Sequence, residues 1–206
     1  VWRWYLYRKG VCNAAAPNVA HLALAELERG LGERFALVTQ NVDGLHLRAG
    51  NSLARTMQIH GNTDYMRPLA GDRTPIPIPA AVPRLGREDP ISDEVWALLV
   101  DAKGGPTRPH VLWFDECYDE ALFHFESSIR AATRAGLLIV IGTSGSTNLP
   151  MQVGSIVAQR GAPMIVINRD PSPFSRFAES SASGWFAHGG AGEHLPPMVE
   201  RLLGEA

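Results

Sequence analysis

The chain has 206 residues, 45% of them hydrophobic and 19% charged, with 19 Lys and Arg against 21 Asp and Glu for a formal net charge of -2. That balance describes a globular chain long enough for a core without disulfide staples, and it excludes a general electrostatic attraction to nucleic acid or to an acidic membrane surface. The longest strongly apolar run, Leu137 to Ile141, is far below the roughly 20 residues of a membrane span, and the two cysteines, Cys12 and Cys117, fit a reducing, cytoplasmic compartment better than a disulfide framework.

Val1-Trp2-Arg3-Trp4-Tyr5 carries neither an initiator Met nor a basic-then-apolar leader, so the expectation is a chain that starts inside a structured element of a longer gene product. After Pro17, Ala20, Leu24, Leu27 and Leu31 recur at helical spacing, with Gly30 and Gly32 marking the stop. Phe35 to Val38 predicts a buried strand running into Thr39-Gln40-Asn41-Val42-Asp43-Gly44, and Thr56 to Ile59 predicts a weaker strand broken by His60-Gly61. Between 62 and 109 the prolines at 68, 75, 77, 79, 83 and 90 predict neither a long helix nor a central strand before Ser92. Ser92 is a cap for one helical piece with Trp96, Leu99, Val100 and Lys103 on a face. Val111 to Phe114 then reads as a strand, and Leu122, Phe125, Ile129 and Ala132 as one face of a helix. Leu137 to Ile141 leads into Gly142-Thr143-Ser144-Gly145-Ser146, the stripe Val153, Ile156 and Val157 ends at Gly161, and Met164 to Ile167 ends at Asn168-Arg169-Asp170. Strands that lead repeatedly into polar loops and then helices predict an α/β fold with a doubly wound parallel sheet. Residues 1–61 and 108–206 form its main domain, and 62–107 form a small inserted lobe.

Loops at the carboxyl ends of parallel strands share one crevice, which unites the loops 39–46, 142–148 and 168–170. Gly142-Thr143-Ser144 offers backbone N–H groups and hydroxyls suited to phosphate or ribose, although an ordinary turn uses the same residues. Gln40-Asn41-Val42-Asp43 concentrates two amides and a carboxylate; it serves turn capping, or the grip of a carboxamide that needs a donor beside an acceptor. His60 is the candidate general base, since imidazole titrates near neutral pH. Neither a Gly-x-Gly-x-x-Gly opening nor a Walker A pattern is present.

The strings Thr39-Gln40-Asn41-Val42-Asp43-Gly44-Leu45-His46, Ile59-His60-Gly61, Arg108-Pro109-His110-Val111-Leu112-Trp113-Phe114-Asp115-Glu116, Gly142-Thr143-Ser144 and Ile167-Asn168, in that order, resemble the sirtuins. The resemblance implies a Rossmann-like fold and an enzyme that cleaves the glycosidic bond of NAD, passing ADP-ribose to the carbonyl oxygen of an acyl-lysine in a protein or peptide. It implies His60 as the catalytic base, with Asn41 and Asp43 lining the nicotinamide and ribose pocket and Gln40 and Val42 beside them. By the same match Gly142, Thr143 and Ser144 meet ribose and phosphates, Asn168, Arg169 and Asp170 lie at the adenosine ribose, and Ala191 lies by the adenine. Val111, Phe114, Asp115 and Glu116 fall in the segment that pairs with the substrate peptide as an added strand.

Tyr5 and Arg8, one helical turn apart, resemble the Tyr-x-x-Arg pair of sirtuins that remove succinyl and malonyl groups, where a guanidinium fork suits a terminal carboxylate. Asp115 stands where the family usually has Gly; the expectation is a side chain that crowds or repels the substrate there, with its acidity favouring basic residues flanking the acyl-lysine. The family's N-terminal strand, Gly-Ala-Gly-x-Ser phosphate loop and nicotinamide-closing segment have no counterpart here, so the expectation is poor NAD binding by these 206 residues alone. Its four zinc cysteines are also missing between Gly61 and Arg108, and no zinc is expected. An NAD glycohydrolase or ADP-ribosyltransferase and a catalytically silent binding module remain the alternatives.

Overall fold

A two-residue alternation of apolar side chains builds the centre of the computed structural model, which describes residues 1–204. Strands β6 (Leu138–Ile141) and β7 (Met164–Asn168) pair in parallel, and β8 (Trp185–His188) extends the sheet on the far side of β7. Successive side chains point to opposite faces of a strand, so each strand feeds two cores. Val140, Met164 and Val166 pack against α6 (Phe125–Arg134), α7 (Asn148–Gln159) and α8 (Pro173–Glu179). Ile139, Ile141, Ile165 and Ile167 pack against α2 (Val19–Leu31) and α9 (Ala191–Gly204). Helix α2 starts where Asn18 Oδ1 accepts the Ala20 and His21 N–H groups, a cap that sets its apolar stripe of Ala20, Ala23, Leu24 and Leu27 against α9.

Strands β1 (Leu37–Thr39) and β2 (Thr56–Gln58) form a separate parallel pair. Leu37 enters the α2/α9 core while Val38 and Met57 enter the other, so both sheets lie in one layer between the same helices. Among the described residues no backbone ladder joins β1 to β6. The expected single doubly wound sheet is therefore a mixed α/β fold with two parallel sheets side by side.

Strand β3 (Gly61–Pro68) is the central strand of an antiparallel sheet, between β4 (Ile76–Pro77) and β5 (Thr107–Val111), where the prolines had excluded one. They do not oppose it: Pro68 is its last residue, and Pro77 and Pro109 lie on the two edge strands, where a missing N–H costs no ladder bond. Strand β5 also ends at Val111, so Trp113 and Phe114 belong to a loop instead of the expected strand. Helix α1 (Trp2–Ala14) packs on this sheet: Trp2 and Leu6 join Met66, Ile78, Val82, Val95 and Leu99, and Trp2 Nε1 donates to the Thr107 carbonyl at 3.0 Å. Helix α4 (Asp93–Leu98) is capped by Ser92 as expected but stops before Val100 and Lys103; of the predicted face Leu99 is buried, while Trp96 is 46% exposed and Val95 takes its place in the core.

The helix predicted through Leu122 and Ala132 is two helices, α5 (Glu120–Phe123) and α6, broken at His124 with φ 53°. The break lets Phe123 stack flat on His110, ring centroids 5.6 Å apart, while Phe125 turns to the main core. No helix among the described residues is long and apolar enough to cross a membrane. Leu195, fully buried where α9 meets α2 and β7, tests the core: Leu195→Ala should lower unfolding free energy by about 2–5 kcal/mol in urea titration.

Candidate active site

Strands β1, β6 and β7 end in the three polar segments singled out above, β2 ends at Ile59-His60, and β8 ends at the turn before Ala191. Gln40, just past β1, makes the central contacts. Its Nε2 donates to Thr143 Oγ1 at 3.0 Å and its Oε1 accepts from Thr147 Oγ1 at 2.9 Å. Asn168, at the end of β7, donates from Nδ2 to the Thr143 carbonyl at 3.0 Å and accepts the Arg169 N–H on Oδ1. Its own carbonyl accepts the Gly189 N–H, which brings the turn before Ala191 and α9 to the same rim. Thr147 sits at the N-cap of α7, but its hydroxyl serves Gln40 instead of the helix, so the α7 N–H groups keep their positive end open to a ligand. Ser144 is exposed, its hydroxyl paired with that of Ser146.

Asn41 is exposed, and among the described residues its carboxamide is tied to no protein group. The Val42 carbonyl accepts both the N–H and the hydroxyl of Thr63, at 2.8 and 3.0 Å, stitching this loop to β3. Asp43 Oδ1 accepts the Leu45 N–H at 2.9 Å and its carbonyl accepts Arg48, so its carboxylate does perform the turn-capping work weighed above. Arg169 and Asp170 are exposed and Ala191 half-buried at the start of α9.

His60 is half-buried with both ring nitrogens engaged. Nδ1 lies 3.0 Å from the Gln40 carbonyl, which can only accept, so Nδ1 carries the proton and Nε2 is left as the acceptor. The Tyr118 hydroxyl donates to Nε2 at 2.8 Å, with the two rings stacked 5.9 Å apart. Burial pushes the His60 pKa below the ordinary imidazole value, and the Gln40 carbonyl only partly offsets this, so the ring is neutral at neutral pH. Gly61 makes this placement possible: φ is 85°, and a Cβ there would stand 2.1 Å from the His110 carbonyl oxygen.

The loop after β5 is anchored inward. Glu116, expected on the substrate side, turns its carboxylate to Arg67 Nη2 and Arg108 Nη2, both at 3.0 Å, and to the Trp113 N–H at 2.8 Å. Burial raises its pKa, but the hydrogen bonds from Arg108 and Trp113 outweigh this and hold it below the usual carboxylate value. Arg67 is 2% exposed, and Arg108 lies 3.4 Å from the Trp113 ring centroid. At the tip Phe114 and Asp115 face solvent, while Val111 is buried within β5. Tyr5 and Arg8 make no hydrogen bond or ion pair with the His60 cluster among the described residues. The Arg8 guanidinium lies 5.8 Å from the Trp4 ring. Tyr118 escaped sequence reasoning, because no spacing rule links position 118 to position 60.

The sequence profile described as the Sir2 family matches residues 1–148. The chain belongs to the Sir2 family. An NAD-dependent protein deacylase of Leptospira interrogans is 36% identical over 207 residues, covering 98% of this chain and 74% of that protein. The crystal structure of a Sir2 homolog–NAD complex matches with a TM-score of 0.79 at 32% identity, covering 99% of this chain and 71% of that one. A Sir2–p53 peptide–NAD+ structure matches with a TM-score of 0.69 at 26% identity, covering 94% and 72%.

In this sirtuin, the features above suit a dinucleotide: an uncommitted Asn41 carboxamide, glycine backbone at Gly142 and Gly145, and an open α7 N-terminus around the Gln40–Thr143–Asn168 contacts. The residues do not suit the family's zinc module, since Cys12 is buried, Cys117 is exposed, and no three His, Cys, Asp or Glu side chains converge among the described residues.

Two other histidines make the fold acid-sensitive. Burial lowers His110 from 6.5 to about 4, with Arg67 and Arg108 adding to it, and burial lowers His46 to about 4, with His21 adding to it. The unfolded chain therefore binds more protons than the native one between these values. Stability should be complete above pH 6.5 and fall steadily as pH drops toward about 4, and His110→Gln should flatten that slope in denaturation at a series of pH values.

Proposed function

We propose that this sirtuin is an NAD-dependent protein-lysine deacylase, and that its acyl pocket favours acidic groups such as succinyl and malonyl. The observation that carries the first part is His60: a neutral imidazole whose Nδ1–H is held by the Gln40 carbonyl, leaving Nε2 as an acceptor that the Tyr118 hydroxyl meets in this structure. NAD, when bound, supplies the glycosidic bond whose cleavage releases nicotinamide and leaves ADP-ribose to receive the acyl group.

The chain's own residues have separable tasks. Asn41 offers a donor and an acceptor to a carboxamide, and Asp43 places negative charge near it. Gly142, Thr143, Ser144 and the start of α7 receive phosphate and ribose oxygens, and Asn168, Arg169, Asp170 and Ala191 form the adenosine end. His60 Nε2 takes a proton from a ribose hydroxyl, and the Gln40 carbonyl then stabilises the imidazolium through Nδ1–H. Val111 and the exposed Phe114 and Asp115 offer backbone and a negative rim to a peptide carrying the acyl-lysine. Tyr5 and Arg8 share one face of α1, where the arginine fork suits a terminal carboxylate.

Incubation of the full-length protein with NAD and a succinyl-lysine or acetyl-lysine peptide tests the reading by its products. O-acyl-ADP-ribose identifies a deacylase, free ADP-ribose without peptide a glycohydrolase, and neither a silent module. His60→Ala should lower turnover by about 100-fold or more. Arg8→Met should reduce kcat/KM for succinyl peptide by about 10-fold or more while sparing acetyl peptide, and equal losses would reject the acidic pocket.

A further inference from the structure

We propose that Tyr118 is a positioning residue for the base: its hydroxyl holds the Nε2 lone pair of His60 in the resting protein and yields it to a ribose hydroxyl when the nucleotide enters. The second half of this proposal rests on the deacylase reading; the first does not.

The donor and acceptor roles follow from geometry. The Gln40 carbonyl fixes the proton on Nδ1, so the 2.8 Å contact at Nε2 requires the tyrosine to donate. Burial raises the Tyr118 pKa above the ordinary phenol value, with the neighbouring Thr147 hydroxyl drawing it partly back, so the donor proton is retained at neutral pH. No charged side chain contributes to the His60 shift, in which burial outweighs the Gln40 carbonyl. A ribose hydroxyl needs the same lone pair, and an imidazole nitrogen has only one.

The surroundings hold the phenol in place without sealing it. Its ring packs against the core beneath α6 and α7, parallel to the imidazole within 23°. The loop that carries it is tied at both ends: Leu112 N–H donates to the His60 carbonyl at 3.0 Å, and Asp119 caps α5. Glu116, gripped by Arg67 and Arg108, fixes the middle. Thr147, which bonds Gln40 and lies beside the phenol, is a ready alternative partner for the displaced hydroxyl.

Tyr118→Phe removes the oxygen and keeps the stacked ring. Imidazole titration by NMR in the full chain without ligand, with His60 assigned by its loss in His60→Gln, should show the His60 pKa rising by roughly half a unit to one unit in the Phe variant. An unchanged or lower value overturns the resting contact. In the unsubstituted protein the Nε2 shift at neutral pH should be that of an unprotonated nitrogen, and a protonated Nε2 overturns it without any variant. By calorimetry the Phe variant should bind ADP-ribose roughly three- to ten-fold more tightly; equal or weaker binding overturns the exchange. If neither protein binds ADP-ribose, the nucleotide reading of the crevice fails and the exchange with it, while the titration still decides the resting contact.

Discussion

One carboxamide joins the two halves of the parallel layer. β1–β2 and β6–β7–β8 share cores above and below but, among the described residues, no backbone ladder, and Gln40 spans them by donating to Thr143 and accepting from Thr147. A primary amide suits this place because it offers a donor and an acceptor side by side without charge. A charged side chain would require a counter-ion in a half-buried spot, and an apolar one would leave two threonine hydroxyls unmatched.

The same residue holds His60. Its side chain positions the loop before α7 while its carbonyl selects the His60 tautomer, so the geometry of that loop and of the imidazole is coupled through one residue. Gly61 then turns the chain abruptly into β3, and Leu112 ties the next loop to the His60 carbonyl. The imidazole is thus held by a parallel strand on one side and by the antiparallel lobe on the other.

Much of this was legible from patterns acting over short range. The polar strings after Val38, Ile141 and Ile167 mark strand ends because an apolar run that stops at amides, hydroxyls and glycines has reached the edge of a core, and those loops do meet. Long-range pairing was less legible. β3 looked unsuited to a sheet centre because prolines were counted over a long stretch, whereas only their register against neighbouring strands matters. Leu122 to Ala132 has an unbroken helical stripe, and the left-handed His124 that breaks it accompanies a long-range stacking of Phe123 on His110 that no local pattern shows. Glu116 looked like surface chemistry until Arg67, 49 positions earlier, proved to be its buried partner.

The seam bridged by Gln40 has a thermodynamic meaning as well. A molecule that touches Asn41 on one bank and Asn168 on the other acts as a cross-brace. Its binding free energy then adds to the cohesion of the fold, growing with the logarithm of its concentration.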